Sequence, residues 1–219
     1  MKNLSATNRT DYVVSLAGLR KSDSILTIGV AHIPEIEKKL ENKVKSCSCI
    51  DLDKSKIRHA KKYLQRTTFV QGDVTKLPNN FSDKFDTIIM LEVLEHIEDD
   101  FGTLKRLHGL LKKGGKLIIS VPNKHPLHLF NPLRYTQHKR HYSLHDILSL
   151  LEKSGFSIAH TNTVESPKLL FDLYVHLFYK YFLRREANFG FLTGEIDKTY
   201  GQLNPQSAGL DSIVVAVKS

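Results

Sequence analysis

The feature that most constrains the fold of this chain is a regular alternation of short apolar runs with segments of helical period. The apolar runs predict strands at residues 24–29, 46–51, 67–70, 85–90, 116–121, 156–163 and 211–217. The helical segments predict helices at residues 7–19, 34–42, 54–65, 99–111 and 143–156, the last of them capped. The KKGG segment at 112–115 predicts a turn before the strand at 116–121. Strands that alternate with helices form βαβ units, in which helices cover both faces of a parallel sheet. The sequence therefore predicts an α/β fold built on one mostly parallel sheet.

The alternation is interrupted once, at about residues 164–210, between the last two predicted strands. Apolar side chains recur there at helical spacing: Leu170, Leu173, Tyr174, Leu177, Phe178 and Tyr181. We therefore predict a single domain over residues 1–219 with a helical insertion at about 164–210. The apolar stripe of the insertion either packs on the sheet, covers a substrate site, or forms a homodimer or membrane-facing surface.

The composition is that of a folded chain, with 41% hydrophobic and 25% charged residues, a balance that argues against disorder. No apolar stretch reaches about 18 residues, so no transmembrane helix is predicted. The N-terminal residues lack the apolar core of a secretory signal. Cys47 and Cys49 lie two positions apart on a predicted strand and would point to the same face, which is a poor geometry for a disulfide. We therefore expect a reduced, cytoplasmic chain.

The chain is basic: 32 lysine and arginine residues against 23 acidic residues give a net charge of +9. This excess favours an anionic partner, whether nucleic acid, anionic lipid or a phosphorylated metabolite. Much of it lies on the helix predicted at 54–65, where a solvated helix face is the simpler interpretation. No basic run is interleaved with aromatic residues, as a surface for single-stranded nucleic acid would be. Nucleic acid therefore stays among the open partner classes without being favoured.

Three positions just after predicted strands carry residue types that suit a nucleotide site. Gly29 follows the first strand, where a turn into a helix lets the backbone approach a ligand closely. Asp51 lies 22 positions further on, and a carboxylate at about this spacing can accept hydrogen bonds from both ribose hydroxyls. The alternative for Asp51 is an ordinary surface acid. Asp73 follows the third strand and could accept from an exocyclic amine, so a ligand site is predicted at this edge of the sheet.

Six segments form an ordered set along the chain: ILTIGV, CIDLD, FVQGDV, FDTIIMLEVLEHIEDD, LLKKGGKLIISVPN and HYSLHDILSLLEKSGF. Together they resemble the class I S-adenosylmethionine (SAM)-dependent methyltransferases, in particular the group that includes the ubiquinone-biosynthesis O-methyltransferases. The resemblance covers about residues 20–160 and the last strand. It implies a Rossmann-like seven-stranded sheet whose last strand is antiparallel and lies between the fifth and sixth strands. It also implies SAM as the cofactor.

The resemblance further implies eight cofactor-binding residues at the carboxyl ends of the strands: Gly29, Ala31, Asp51, Leu52, Asp73, Val74, Met90 and Leu91. Asp51 would hold the ribose hydroxyls, and Leu52 would pack on the adenine. The Asp73 side chain and the Val74 backbone would read the adenine edge. Met90 and Leu91 would line the methionine side.

The first motif departs from the family pattern, which has an acid followed by glycines at three alternate positions. Thr27 replaces the acid, while Ala31 and Ile33 replace the second and third glycines. Glycine permits a positive φ and a close backbone approach, which isoleucine does not. The missing acid also removes a partner for the ammonium group of the cofactor. The alternative function is therefore a methyltransferase-fold protein that has lost SAM and serves as a scaffold or binding module. A nicotinamide-dependent oxidoreductase is disfavoured because the G-x-G-x-x-G spacing is absent.

A second motif, Glu92-Val93-Leu94-Glu95-His96, places two carboxylates and an imidazole at i, i+3 and i+4, which is one face of a helix. With His138, these groups could ligate a divalent cation. The arrangement resembles that of small-RNA 2′-O-methyltransferases, in which Mg²⁺ is held against the reacting hydroxyl. The alternative is that Glu95 and His96 are structural groups and no metal binds.

A third group is a set of histidines that precede or begin the last predicted helix: His125, His128, His138, His141 and His145. Imidazole is a natural general base for a hydroxyl near neutral pH. His138 and His141 come just before the helix and are the members most expected to face the site. Arg134, Lys139 and Arg140 make the same loop cationic, which suits an anionic acceptor.

The sequence thus predicts a SAM-dependent methyltransferase acting on a small-molecule, glycan or lipid-like acceptor, with a hydroxyl favoured as the acceptor group. The candidate catalytic residues are His96, His138, His141 and Glu92. The candidate metal ligands are Glu92, Glu95, His96 and His138, with Mg²⁺ as the expected ion.

Overall fold

The computed structural model describes residues 9–31, 34–77, 84–124, 139–163 and 211–219. These residues form a seven-stranded sheet with strand order β3-β2-β1-β4-β5-β7-β6. The strands are β1 Ser24–Ile28, β2 Ser46–Asp51, β3 Thr67–Gln71, β4 Phe85–Leu91, β5 Leu111–Pro122, β6 Phe156–Thr163 and β7 Asp211–Lys218. The helices are α1 Arg9–Ala17, α2 Glu35–Leu40, α3 Lys54–Ala60, α4 Asp100–Leu110 and α5 Leu144–Lys153. Two short 3-10 helices follow β3 and β4, at Val74–Lys76 and Leu94–His96.

The topology confirms the α/β fold predicted from the sequence. The pairs β3-β2, β2-β1, β1-β4 and β4-β5 are parallel. Strand β7 is antiparallel to both of its neighbours and lies between β5 and β6. The predicted insertion at 164–210, together with its apolar stripe, lies outside the described residues.

The two faces of the sheet are buried under different helices. On one face Leu26 of β1 and Ile88 of β4 pack in a cluster with Leu104 of α4 and Leu151 of α5. On the other face Ile25 and Ile89 pack with residues of α1 and α2, such as Val13 and Leu40. Adjacent residues of one strand point to opposite faces. A sheet covered on both sides therefore needs continuous apolar runs, which is the pattern that the sequence shows.

The KKGG segment, predicted as a turn before a strand at 116–121, lies inside β5 instead. Phe85 pairs with Leu111 and Thr87 pairs with Lys116, so β4 advances by two residues while β5 advances by five. The extra residues bulge from the ladder, and Gly114 takes a φ of 73° there, a conformation that glycine adopts without steric cost. The turn prediction described the bulge correctly but missed the strand pairing before it.

Two other local predictions are confirmed. Helix α5 has a capping box, in which the Asp146 N–H donates to Ser143 Oγ at 3.1 Å and the Ser143 N–H donates to the Asp146 carboxylate at 3.0 Å. Cys47 and Cys49 are free and buried on β2, where burial raises the pKa of the Cys47 thiol to about 12. Among the helices of the described residues, none is long and apolar enough to cross a membrane.

Candidate functional site

A cavity of about 660 Å³ lies at the carboxyl ends of β1, β2 and β4. Strand β1 pairs with β2 on one side and with β4 on the other, so the chain reverses its direction of travel across the sheet at this point. Such a switch point opens a crevice between the loops that follow the strands. Nine of the predicted site residues line the cavity: Gly29, Ala31, Asp51, Leu52, Asp73, Val74, Leu91, Glu92 and His96.

Gly29 forms the floor of the cavity at the end of β1. It has a φ of 81°, and a Cβ built on it would lie 2.8 Å from Val93 Cγ2. A side chain would therefore meet both a backbone penalty and a steric clash. Ala31 is exposed at the cavity, and Ile33, which departs from the family pattern, lies outside the described residues.

Asp51 is not an ordinary surface acid, because its residue is only 9% exposed. Its Oδ2 accepts from the Val30 N–H at 2.6 Å and its Oδ1 accepts from the Asp53 N–H at 2.7 Å. These bonds tie the end of β2 to the turn after β1 and fix the carboxylate at the cavity wall. Each carboxylate oxygen can accept a further hydrogen bond. Asp51 can therefore bind a diol without giving up its structural bonds.

The wall beyond Asp51 combines an exposed apolar side chain with a second acid. Leu52 is 67% exposed and lines the cavity. Asp73 caps the 3-10 helix at Val74–Lys76, and its Oδ1 accepts from the Thr75 hydroxyl at 2.7 Å and from the Thr75 N–H at 2.8 Å. The hydrogen bonds from Thr75 lower the pKa of Asp73, which keeps this side chain an acceptor. This wall therefore offers one apolar surface and one hydrogen-bond acceptor.

Met90 is not brought to the cavity. It is fully buried in the core cluster beneath α4 and α5, while its neighbours Ile89 and Leu91 line the cavity. The reason is the two-residue period of a strand, which sends Met90 to the face opposite its neighbours. Of the predicted pair, Leu91 lines the cavity and Met90 does not.

Glu92 has a strained backbone at the end of β4. Its φ of 53° is the one positive value among the described residues other than glycine. The Glu92 N–H donates to the Ser120 carbonyl at 3.0 Å, and Ser120 Oγ donates to Glu92 Oε1 at 2.6 Å. A positive φ costs about 1–3 kcal/mol at such a residue and persists where its surroundings enforce it. These two bonds to β5 fix the Glu92 carboxylate at the cavity edge.

The predicted helical face of Glu92, Glu95 and His96 does not form, because only Leu94–His96 is helical and it is a 3-10 helix. The Glu95 side chain is fully buried, whereas that of His96 is 47% exposed, and Glu95 Oε1 lies 3.9 Å from His96 Nε2. Within the described ranges no group of three potential metal ligands is found. His138, the fourth predicted ligand, lies outside them. The structure therefore gives no support to a Mg²⁺ site built from this motif.

The segment at 139–142 docks onto the loop that follows β4. The N–H groups of Lys139 and Arg140 both donate to the Glu95 carbonyl, at 3.1 and 3.3 Å. The Asp100 carboxylate accepts from Arg140 Nη1 at 2.6 Å and from the Tyr142 hydroxyl at 2.9 Å. Burial, the largest effect, raises the pKa of Tyr142 above its ordinary value. Arg140 is thus engaged within the protein, so the cationic loop predicted from the sequence has one fewer side chain to offer an anionic acceptor.

His141, a predicted catalytic residue, is half-buried in this segment and is not among the residues that line the cavity. His138, Arg134, His125 and His128 lie outside the described residues, while His145 is exposed on α5. Of the predicted general bases, the structure brings His96 to the cavity.

Glu37 of α2 is among the cavity residues that sequence reasoning missed. It is only 3% exposed and lines the cavity beside Thr27 of β1. Burial raises the pKa of the Glu37 carboxyl. The spacing indicated that Glu37 is buried, because it lies three positions after Pro34 and three positions before Leu40, which are both buried. An acid on the buried stripe of a helix is unusual and points to a function or a fixed partner.

The chain is similar in sequence to proteins named as methyltransferases. A tRNA U34 carboxymethyltransferase from Psychrobacter arcticus is 33% identical over 115 residues, 47% of this chain and 33% of that protein. A ubiquinone biosynthesis O-methyltransferase from Alkalilimnicola ehrlichii is 26% identical over 122 residues, 54% of this chain and 49% of that protein. The chain thus spans less than half the length of these two relatives.

The fold is shared with solved structures over almost the whole chain. The magnesium protoporphyrin IX methyltransferase of Synechocystis PCC 6803, solved with bound SAM, superposes with a TM-score of 0.59 at 18% identity and covers 96% of this chain and 76% of its own. The family model described as a methyltransferase domain matches residues 10–161, which is more than half of the sequence. This chain therefore belongs to the methyltransferase-domain family.

Proposed function

We propose that the protein binds SAM in the cavity and transfers its methyl group to a hydroxyl of a small-molecule, glycan or lipid-like acceptor. The observation that carries this proposal is the Asp51 carboxylate. It is fixed by two backbone N–H groups at the carboxyl end of β2, and each of its oxygens can still accept a hydrogen bond from the cavity.

The residues of the cavity fit this cofactor. Asp51 would accept from the two ribose hydroxyls, and the exposed Leu52 side chain would cover one face of the adenine. Asp73, whose lowered pKa keeps it ionised, would accept from the exocyclic amine. Gly29 allows the close approach of Val93 at the turn after β1, where a Cβ would lie 2.8 Å from Val93 Cγ2. We call these four residues, Gly29, Asp51, Leu52 and Asp73, the cofactor side.

The acceptor would lie at the other wall, formed by Glu92 and His96. Segment 139–142 docks behind this wall through the Glu95 carbonyl, and we call the wall and this segment the acceptor side. Bound SAM would supply an electrophilic methyl group, and the protein would contribute mainly proximity and orientation. The His96 imidazole, half-exposed at the cavity, would take the proton of the acceptor hydroxyl. Glu92, held by Ser120, would orient that hydroxyl.

The choice of a hydroxyl rests on this acid and imidazole at the cavity and on the likeness to a ubiquinone biosynthesis O-methyltransferase. The likeness to a tRNA U34 carboxymethyltransferase names the competing acceptor class, a nucleic acid. A small molecule is favoured because Arg140, a predicted cation of the site, is already bonded to Asp100.

The cofactor assignment is tested by calorimetric titration of S-adenosylhomocysteine into the wild type, Asp51→Asn and Asp86→Asn. Asp86 is the matched control. It also accepts a hydrogen bond from a backbone N–H, that of Ser24 at 2.8 Å, but it lies near the amino end of β4, far from the cavity at the carboxyl ends of the strands. Losing charge-assisted bonds worth about 1.5–3 kcal/mol each should weaken binding to Asp51→Asn at least tenfold, while Asp86→Asn binds as the wild type does. A wild type that does not bind would favour the scaffold alternative.

The acceptor is tested with methyl-labelled SAM and two separate fractions of a cell extract, small molecules and total RNA. Mass spectrometry of the labelled product identifies the methylated atom. We expect an O-methyl product in the small-molecule fraction. Label on nitrogen, or label found in RNA alone, would contradict the acceptor part of the proposal and leave the cofactor part intact.

A further inference from the structure

The first motif lacks its acid at Thr27, yet a carboxylate reaches the same place from another element. Glu37 of α2 lines the cavity together with Thr27 and lies close to it. Residues 27 and 37 are ten positions apart, so no pattern confined to the first motif reveals the pair. The structure therefore contains an acid where the sequence shows a threonine.

The surroundings of Glu37 disfavour a negative charge. The residue is 3% exposed, and the nearby charged group that acts on it is another acid, Asp51. The two buried thiols of β2, Cys47 and Cys49, lie close enough to feel its charge and carry none that would compensate it. Among the described residues no basic side chain forms an ion pair with Glu37. A buried carboxylate in such a place becomes favourable when a positive group is brought to it.

We propose that Glu37, seated against Thr27, binds the ammonium group at the amino-acid end of the cofactor. This inference rests on the proposed function, since it assigns a part of the same site. Asp51 and Asp73 place the nucleoside toward β2 and β3. The amino-acid end must then lie further toward β1, and Glu37 is the buried acid of the cavity that neighbours Thr27 of β1.

The competing explanation is that Glu37 only holds α2 against β1 through Thr27. The two explanations differ in which ligands the residue affects. If Glu37 contacts the ammonium group, its loss lowers the affinity only for ligands that carry this group. If Glu37 is structural, its loss lowers the affinity for every ligand of the cavity.

The test compares S-adenosylhomocysteine with 5′-methylthioadenosine, which has the same nucleoside and sulfur but no amino-acid end. Both are titrated into the wild type, Glu37→Gln and Glu41→Gln. Glu41 is the matched control because it lies at the end of the same helix and interacts outside the cavity, with the Arg66 N–H at 3.1 Å. We expect Glu37→Gln to lower the affinity for S-adenosylhomocysteine at least tenfold and to change the affinity for 5′-methylthioadenosine by less than twofold. Glu41→Gln should change neither.

Binding of 5′-methylthioadenosine also shows that a variant is folded. Should Glu37→Gln not fold, Glu37→Asp, which shortens the side chain but keeps the charge, is measured against the same two ligands. An equal loss for both ligands, or no loss for either, would overturn the proposal. A wild type that binds neither ligand would instead overturn the proposed function.

Discussion

The two sides of the cavity use their acids differently. On the cofactor side Asp51 and Asp73 accept hydrogen bonds mostly from residues nearby in sequence, two positions away in the case of Asp53 and Thr75, and keep acceptor capacity for a ligand. Behind the acceptor side the Asp100 carboxylate, which does not line the cavity, is occupied by Arg140 and Tyr142, about forty positions further along the chain. One side is thus assembled mostly from local contacts, and the other depends on long-range contacts that hold a segment in place.

The difference implies that the two sides can be disrupted separately. Changes on the acceptor side should alter turnover or stability without altering the affinity of the folded protein for S-adenosylhomocysteine. Changes on the cofactor side should alter that affinity. Three further variants test this separation, beyond those of Asp51 and Glu37.

The largest expected effect is that of His96→Ala on turnover of the methyl acceptor found in the extract. Losing a general base should lower kcat by about 10²–10⁴-fold, with S-adenosylhomocysteine affinity unchanged. His145→Ala is the control, because His145 is exposed on α5. If His96→Ala retained full kcat, another group would be taking the proton.

A smaller effect is expected for Asp100→Asn, measured by urea denaturation. The substitution weakens a charge-assisted bond to Arg140 and the bond from the buried Tyr142 hydroxyl, so we expect a loss of about 2–3 kcal/mol in the free energy of unfolding. Glu98→Gln is the control: this acid also faces the segment, with its carboxylate 3.5 Å from Lys139 Nζ, but its side chain is 87% exposed. Such a surface pair contributes little. Equal losses in the two variants would show that Asp100 does not hold the segment.

The smallest effect is expected for Gly29→Ala, whose φ of 81° is unfavourable for any side chain. We expect a loss of about 1–2 kcal/mol in the free energy of unfolding, together with weaker S-adenosylhomocysteine binding. Gly72→Ala is the stability control, since a Cβ there would meet nothing within 4 Å. Unchanged stability and affinity in Gly29→Ala would mean that the loop relaxes and that the turn tolerates a side chain.

Most of the sheet could be predicted from the sequence because its information is local. Strands β2 and β6 have the predicted bounds, 46–51 and 156–163. The place of the last strand, antiparallel between the fifth and sixth, came from the family resemblance, and the observed topology confirms it. The positions of Gly29, Asp51 and Asp73 followed from a general property of parallel sheets, whose strands all present their carboxyl ends at one edge.

The side chains that complete the site could not be predicted in the same way. Met90 and Leu91 point to opposite faces of β4. The way the helices pack on the sheet determines that Met90 is buried in the core and that Leu91 lines the cavity. The spacing of the motif Glu92–His96 predicts one face of an α-helix. The structure has a 3-10 helix at Leu94–His96 instead, in which Glu95 is buried and His96 is exposed.

The sequence by itself thus determined the α/β fold, the edge of the sheet at which the cavity lies and the acids that follow the strands. Only the tertiary structure decided that Asp100 is used to hold Arg140 and Tyr142, and that Glu37 lies against Thr27. The reason is physical: strand ends and turns depend on neighbouring residues, whereas the burial of a charge depends on elements brought together only when the chain is folded.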